Sequence, residues 1–416
     1  MTTTRDDTIQ AAPPKKALIW RNRDYLLLWS GQSLSTIGSS VSELAFPLLV
    51  LAVTRSPAQA GLVAAARALP ATLFSLFAGV LVDRWNRKRV MLFCEIGRFL
   101  SLASIPLAFL FGHLTIYQLY LNAFLEGMLA MLFKLAQTSS LAQLVPREQL
   151  SSAVAQEEVM EGTTALCGPS LGGLLYALGQ MLPFVTDAIS YLVSIVTLVL
   201  IRTPFQSERK DRRPRLLAEI REGIVWMWRQ PFIRAMNILT LPYALIIPGS
   251  SLTIIVLAQQ RGASPFIIGL IFAFGGVGSI LGALLASFWE KHLSVGQAIL
   301  VCRWSFALLW FLYVLMPFPI LMGLVDFGVG FADPIEDVQY FSYRLALIPE
   351  ALLGRVIAAC RMFPSLLRPL GLVLTGVLLQ AIGPVPTILL SGCCMVLLAL
   401  LMTGNRHIRG ARKGQA

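Results

Sequence analysis

Among the ionisable residues set inside long apolar runs of this 416-residue chain, seven are candidates for chemistry: Glu43, Arg67, Arg98, Glu126, Asp326, Asp333 and Arg368. A charge at the centre of a bilayer costs about 2.5–3.5 kcal/mol on insertion scales, so such residues mark functional sites by default. A carboxyl in that setting can take up and release a proton, because burial in an apolar cavity favours its neutral form. It can equally hold an arginine on a neighbouring helix, and the sequence leaves both readings open for Glu126 with Arg98 and for Asp333 with Arg368. Asp326, Asp333 and Asp337, spaced by seven and four, share one helical face with Gly330, and Arg361 and Arg368 are likewise seven apart. Other chemistries find no footing. His113, His292 and His407 lie near loops or tails without metal spacing, so no metal and no catalytic centre are expected. The six cysteines (Cys94, Cys167, Cys302, Cys360, Cys393 and Cys394) read as small apolar residues. No Gly-x-x-x-x-Gly-Lys-Ser/Thr loop is present, so no cofactor and no ATP-driven step are expected.

The elements that must position these groups follow from composition. The chain is 56% hydrophobic and only 13% charged, about half the charge of an ordinary globular protein. Apolar runs of about 20 residues or more, enough to cross a bilayer, lie near 25–53, 58–82, 90–112, 116–137, 157–179, 182–201, 232–258, 265–289, 296–316, 318–341, 358–381 and 384–403. Twelve crossings with the polar residues 1–23 inside leave only Arg55 and Arg261, among 34 basic residues, in outer loops. That asymmetry is the positive-inside signature. It accounts for the net charge of +12 without nucleic acid, and both termini are expected in the cytoplasm. No signal peptide is expected in residues 1–23, which lack a short apolar core. The expected organisation is an N-terminal tail at 1–23, a first bundle at 24–201, a basic linker at 202–230 along the inner membrane face, a second bundle at 231–403 and a basic tail at 404–416. Glu157, Glu158 and Glu161 read as interfacial residues at the inner end of the fifth segment.

The two bundles echo each other. Ser56-Pro57-x-x-x-Gly61-Leu62 recurs as Ser264-Pro265-x-x-x-Gly269-Leu270, an offset of 208. Leu144-Val145-Pro146 recurs as Leu347-Ile348-Pro349, offset 203, and Gly172-x-Leu174-Leu175 as Gly376-x-Leu378-Leu379, offset 204. Three matches in order at nearly one offset indicate a duplicated six-helix unit.

Between the second and third segments stands Gly79-Val-Leu-Val-Asp83-Arg84-Trp-Asn86-Arg87-Lys88-Arg89. Gly79 lets helices approach, and Asp83 can hold a neighbouring helix end that Arg84, Arg87, Lys88 and Arg89 answer. This turn resembles the cytoplasmic signature of the major facilitator superfamily of transporters, with Asn86 where that family has Gly. Asn tolerates the left-handed conformation such a turn would need. The resemblance implies an all-α membrane fold of two pseudo-symmetric six-helix bundles, a conformational latch at these residues and a central cavity lined by helices one, four, seven and ten. The second copy of the latch has decayed to Ser287, Lys291 and His292.

The fifth segment carries Gly168-Pro169-x-x-Gly172-Gly173, similar to the fifth-helix motif of exporters among the drug:proton antiporters, which implies export. Arg23-Asp24-Tyr25-x-x-Leu28-Trp29-x-Gly31-Gln32, Val145-Pro146-Arg147-Glu148-Gln149-Leu150 and Ile348-Pro349-Glu350-x-x-x-Gly354-Arg355-Val356 resemble the branch with macrolide-efflux proteins and the enterobactin exporter. The implied function is secondary active export of a hydrophobic or amphipathic small molecule across the plasma membrane. Protons are the implied coupling ion, taken by Glu43, Glu126 or Asp333, and the protein is expected to act as a monomer in the lipid bilayer. A lysolipid flippase of the same fold, or a sensor that has lost transport, remains open. Phe46, Phe124, Met128, Met131, Met236 and Leu241 are the expected apolar cavity walls, although core packing would explain them as well.

Overall fold

The computed structural model describes residues 22–146, 149–203, 205 and 216–411. Helices dominate, and their starts follow from capping. Asn22 caps α1 (Arg23–Thr54), accepting from the backbone N–H of Tyr25. Ser56 caps α2 (Pro57–Arg84) and Ser264 caps α11 (Pro265–His292), each with Pro in the first turn, where its missing N–H costs nothing. Both copies of the Ser-Pro repeat therefore start a helix the same way.

Asn86 departs from expectation. With φ −67° and ψ 109° it is extended, not left-handed, and its side chain accepts from the N–H of Arg89 as the cap of α3 (Arg87–Leu110). A helix start needs an acceptor for its orphan donors, which Asn supplies and Gly lacks.

The first half continues with α4 (Ile116–Leu144), α5 (Leu150–Leu178) and α6 (Leu182–Leu200). After α7 (Leu216–Arg229), the seventh expected segment is broken into α8 (Pro231–Thr240), α9 (Tyr243–Ile246) and α10 (Ser250–Gln260). Pro242 and Pro248, which donate no backbone hydrogen bond, fall at the breaks. The second half is completed by α11, α12 (Val295–Leu315), α13 (Met322–Leu347), α14 (Leu353–Ile382), α15 (Pro384–Gly404) and the short α16 (Arg406–Arg409). With α8–α10 taken as one broken pass, the described residues hold twelve helical passes, and nine of their helices are long and apolar enough to cross a membrane. Several helices outrun their apolar windows. α5 starts at Leu150 rather than 157, because Ser151, Gln156 and Glu157 can stay helical where the chain has left the hydrocarbon.

The first six helices pack among themselves, α1 on α5 and α6, and α4 on α2 and α3. The later ones do so too, with α13 on α11 and α12, and α15 on α12. The halves meet along two seams, α2 with α14 and α5 with α11. The seams hold glycine against glycine. A Cβ added to Gly61 would lie 2.6 Å from the Leu372 carbonyl oxygen and 2.9 Å from Gly376 Cα. One added to Gly269 would lie 2.5 Å from the Pro169 oxygen and 3.2 Å from Gly173 Cα. These contacts sit at the Pro57 and Pro265 ends. Further along, an added Cβ on Gly276 would still lie 2.8 Å from Leu166 Cα and Thr72 Oγ1 donates to the Ser365 carbonyl at 3.1 Å, whereas a Cβ on Gly79 would meet nothing within 4 Å. The close helix approach expected at Gly79 is therefore not made.

The linker helix α7 does not stand apart: Gly223 packs on the Arg355 backbone of α14, and the Arg355 guanidinium reaches Glu222 at 2.5 Å and Glu219 at 3.7 Å. The basic run at Arg209, Lys210, Arg212, Arg213 and Arg215 lies outside the described residues.

Candidate functional site

A cavity of about 560 Å³ lies between the halves, walled by α1, α2, α4, α5, α10, α11 and α14. The helices of both seams wall it, α2 with α14 and α5 with α11. Its charged groups are Glu43 of α1, Arg67 of α2 and Arg368 of α14. Arg67 and Glu43 stand 3.9 Å apart, with the Glu43 side chain 66% exposed. Ala64, Gly127, Ile255, Phe272 and Leu372 are among its apolar walls. Of the expected wall residues Phe46 lines it, whereas Met236 is fully buried in the protein core. The broken seventh pass turns Pro248, Ser251, Leu252 and Ile255 to the cavity in place of its earlier residues.

Glu126 and Arg98 are brought together away from this cavity, inside the first half. Arg98 donates from Nε (2.9 Å) and Nη2 (2.7 Å) to Glu126 Oε1, with Glu126 only 2% exposed. Arg98 also stacks 4.2 Å over the Tyr191 ring and donates to Ser39 Oγ at 3.1 Å. Tyr191 donates to Glu126 Oε1 at 2.9 Å. One turn away Glu95 of α3, fully buried, accepts from Ser194 (2.9 Å) and Gln32 (3.3 Å). A second cavity of about 220 Å³ reaches this network from the Lys134 end, with Ser39, Arg98, Glu157 and Glu161 in its wall. Glu161 is ion-paired with Lys134 there, at 2.9 Å.

In the second half the pairing of Asp333 with Arg368, one of the two readings left open, is not formed: Arg368 lines the central cavity and Asp333 is exposed on α13. The buried pair is instead Arg303 of α12 with Glu336, and Arg303 lies 4.3 Å over the Tyr243 ring. Helix rotation decides this. Glu336 lies three residues past Asp333 and turns toward α12, while Asp333 points elsewhere. Asp326 accepts from Tyr313 at 2.6 Å and packs against Gly275. Asp337 and Arg361 are exposed.

The turn residues fasten the first half to itself. Lys88 Nζ donates to the carbonyls of Ile201 (2.6 Å) and Val199 (3.2 Å) at the end of α6, where the helix dipole is negative. Arg87 Nη1 donates to the Ser139 carbonyl of α4 at 3.0 Å, and Arg89 is exposed. The side chains of Asp83 and Arg84 lie outside the described residues. The fifth-helix motif divides its faces. Gly168 and Gly172 pack on Ser40 and Val41 of α1, Gly173 packs on α11, and Pro169 reaches the cavity while α5 runs on through it.

The buried charges Glu95, Asp187, Glu336 and Arg344, and the half-buried Arg303, escaped the sequence reading. A signal existed for Asp187. Asp187, Ser190, Tyr191 and Ser194 recur at helical spacing and form a polar stripe on an otherwise apolar α6.

Residues 19–330 match a family model described as transmembrane secretion effector. Macrolide efflux protein A of Streptococcus pyogenes is 22% identical over 94% of this chain and 97% of that protein. The multidrug efflux pump Tap of Mycolicibacterium fortuitum is 27% identical over 88% and 91%. A solved bacterial homolog of the human lysosomal transporter Spinster, in an inward-facing conformation, superposes with a TM-score of 0.72 over 96% of this chain and all of that one, at 14% identity.

Proposed function

Because the chain belongs to the transmembrane secretion effector family of major facilitator transporters, we propose that it exports a hydrophobic or amphipathic small molecule across the plasma membrane by proton antiport. The single observation that carries this is the cavity of about 560 Å³ between the halves, with Glu43, Arg67 and Arg368 set among apolar walls. Its size falls within the ~300–1,000 Å³ of sites for drug-sized ligands. Apolar walls bury the body of such a compound, and the three charges orient its polar groups. The likeness to macrolide and multidrug efflux proteins supports this reading.

In the proposed cycle both termini are cytoplasmic and the two bundles, 24–201 and 231–403, rock about the cavity. The glycine seams at the Pro57 and Pro265 ends form the outer seal, and the open end near Gly79 admits substrate from inside. Asp83 and the basic residues of its turn latch the inner side when the halves close there. Buried carboxyls of the first half take a proton from outside and release it inside, driving the cycle.

The test is uptake of erythromycin and of ethidium into everted membrane vesicles from cells expressing the protein. An imposed gradient, acid inside, should drive accumulation, and a proton uncoupler should abolish it. Accumulation indifferent to the gradient would remove the antiport step. Transport of fluorescent lysolipid in place of both compounds would move the assignment to a flippase.

A further inference from the structure

We propose that Asp187 on α6 is a proton-holding site of the first half, exchanging its proton with the 220 Å³ cavity at the Lys134 end by way of Tyr191 and Glu126. This rests on the antiport reading above for its role in transport, and on the following geometry for its existence.

Charge pairing inside the first half leaves two fully buried carboxyls over, Asp187 and Glu95, and of the two it is Asp187 that touches Tyr191. Arg67 faces Glu43 and Arg98 faces Glu126, whereas Asp187 is 0% exposed and has no Lys or Arg in ion-pair range among the described residues. A buried carboxylate without a cation costs several kcal/mol, and binding a proton removes that cost.

The hydrogen bonds favour a proton in the same place. Tyr191 has one hydroxyl hydrogen and three oxygen neighbours: Glu126 Oε1 at 2.9 Å, Ser39 Oγ at 3.0 Å and Asp187 Oδ2 at 3.4 Å. Given to Glu126, the shortest contact, it leaves two oxygens facing each other between Tyr191 and Asp187 unless Asp187 supplies a hydrogen. The remaining contacts of Asp187 are with hydroxyls, Ser42 at 2.5 Å and Ser190 at 3.3 Å.

The groups around Asp187 form a ladder along the bundle. α1 contributes the hydroxyls of Ser39 and Ser42, the amide of Gln32 and, paired with Arg67, Glu43; α3 brings Glu95 and Arg98, α4 brings Glu126 and α2 brings Arg67. α5, also packed on α6, carries Tyr176 as its titratable group in this region. The transfer balances. The Asp187 O–H breaks as its proton passes to the Tyr191 oxygen, while the Tyr191 O–H proton passes to Glu126 Oε1. Tyr191 ends as a phenol, Asp187 as a carboxylate and Glu126 as a carboxylic acid. Neutral Glu126 loosens its hold on Arg98, whose guanidinium lines the smaller cavity beside Ser39. From there the proton reaches water without entering the central cavity, so proton and substrate occupy separate spaces.

Infrared difference spectra of the purified full-length protein in nanodiscs, recorded across pH, test this without any substrate. The wild type should show carbonyl-stretch absorption of buried protonated carboxylic acid, and Asp187→Asn should lose the part that Asp187 contributes. Persistence of the full band in Asp187→Asn overturns the proposal. Should Asp187→Asn fail to fold, Tyr191→Phe decides: loss of the contact should shift the band, and an unshifted band overturns the site. Loss of that part of the band in Asp187→Asn with efflux that ignores the pH gradient would establish the proton site and refute the antiport reading. An unchanged band with gradient-driven efflux would do the reverse.

Discussion

Gly61 of α2 and Gly376 of α14 lie backbone to backbone: a Cβ built on either would come within 3.0 Å of the other's Cα. The other seam repeats the arrangement with Gly269 and Gly173. In a membrane, where apolar side chains gain little by leaving lipid, such small-residue contacts allow the close packing that joins helices. Gly61→Leu and Gly269→Leu should each insert normally yet lose erythromycin efflux by about tenfold or more, equivalent to ~1.4 kcal/mol. Gly162, with nothing within 4 Å of an added Cβ, should accept Ala with wild-type efflux. Full activity of both leucine variants would show that the seams need not close.

Those seams also show where sequence matching ends. Similarity aligns Gly172 with Gly376, an offset of 204, but Gly61 meets Gly376 and the Leu372 oxygen as Gly269 meets Gly173 and the Pro169 oxygen. The packing offset in these helices is therefore 203. Residue identity is blind to a one-residue slip, whereas a backbone contact rotates by about 100° with it. The number of passes was legible because each must be long and apolar to cross lipid. The Ser-Pro starts were legible because capping is local. The partners of buried charges were not, because they depend on how each helix turns about its axis. Glu336 hides between Asp333 and Asp337 in the sequence, yet it alone of the three pairs with Arg303.

Removing one partner of the Arg98–Glu126 pair strands the other. Arg98→Ala should lower stability by roughly 3–5 kcal/mol, the cost of an uncompensated buried charge, seen as a lower unfolding midpoint in detergent. The double variant Arg98→Met, Glu126→Leu should recover most of that loss, because apolar replacement of both partners is often neutral. It should still be inactive in vesicles. A double variant as unstable as the single one would mean that the pair is not the source of the cost.

Glu43 is the acid of the central cavity and keeps most of its side chain open. Glu43→Gln should weaken transport of cationic ethidium while sparing uncharged compounds, raising the KM for ethidium about fivefold, ~1 kcal/mol. The sign follows from charge: the amide removes attraction for a cation and leaves Arg67 and Arg368 to repel it. Equal losses for charged and neutral compounds would assign Glu43 to folding rather than to recognition.

The space beside Gly79 supplies the last test. In the conformation described here a side chain at that position meets nothing within 4 Å, while the turn beside it is already fastened by Lys88 and Arg87 to α6 and α4. A large residue at 79 should therefore leave this state undisturbed and obstruct only the opposite one, in which the halves close at the Asp83 end. Gly79→Leu is expected to keep its unfolding midpoint, within about 0.5 kcal/mol of the wild type as for an unobstructed site, and to lose efflux. Asp83→Asn should lose efflux with the same intact insertion, because the latch is then short of its charge. Crosslinking between cysteines placed at the open ends of α2 and α14 should fall in Gly79→Leu relative to the wild type. Normal crosslinking together with normal efflux would mean that no closure at this end takes part in transport.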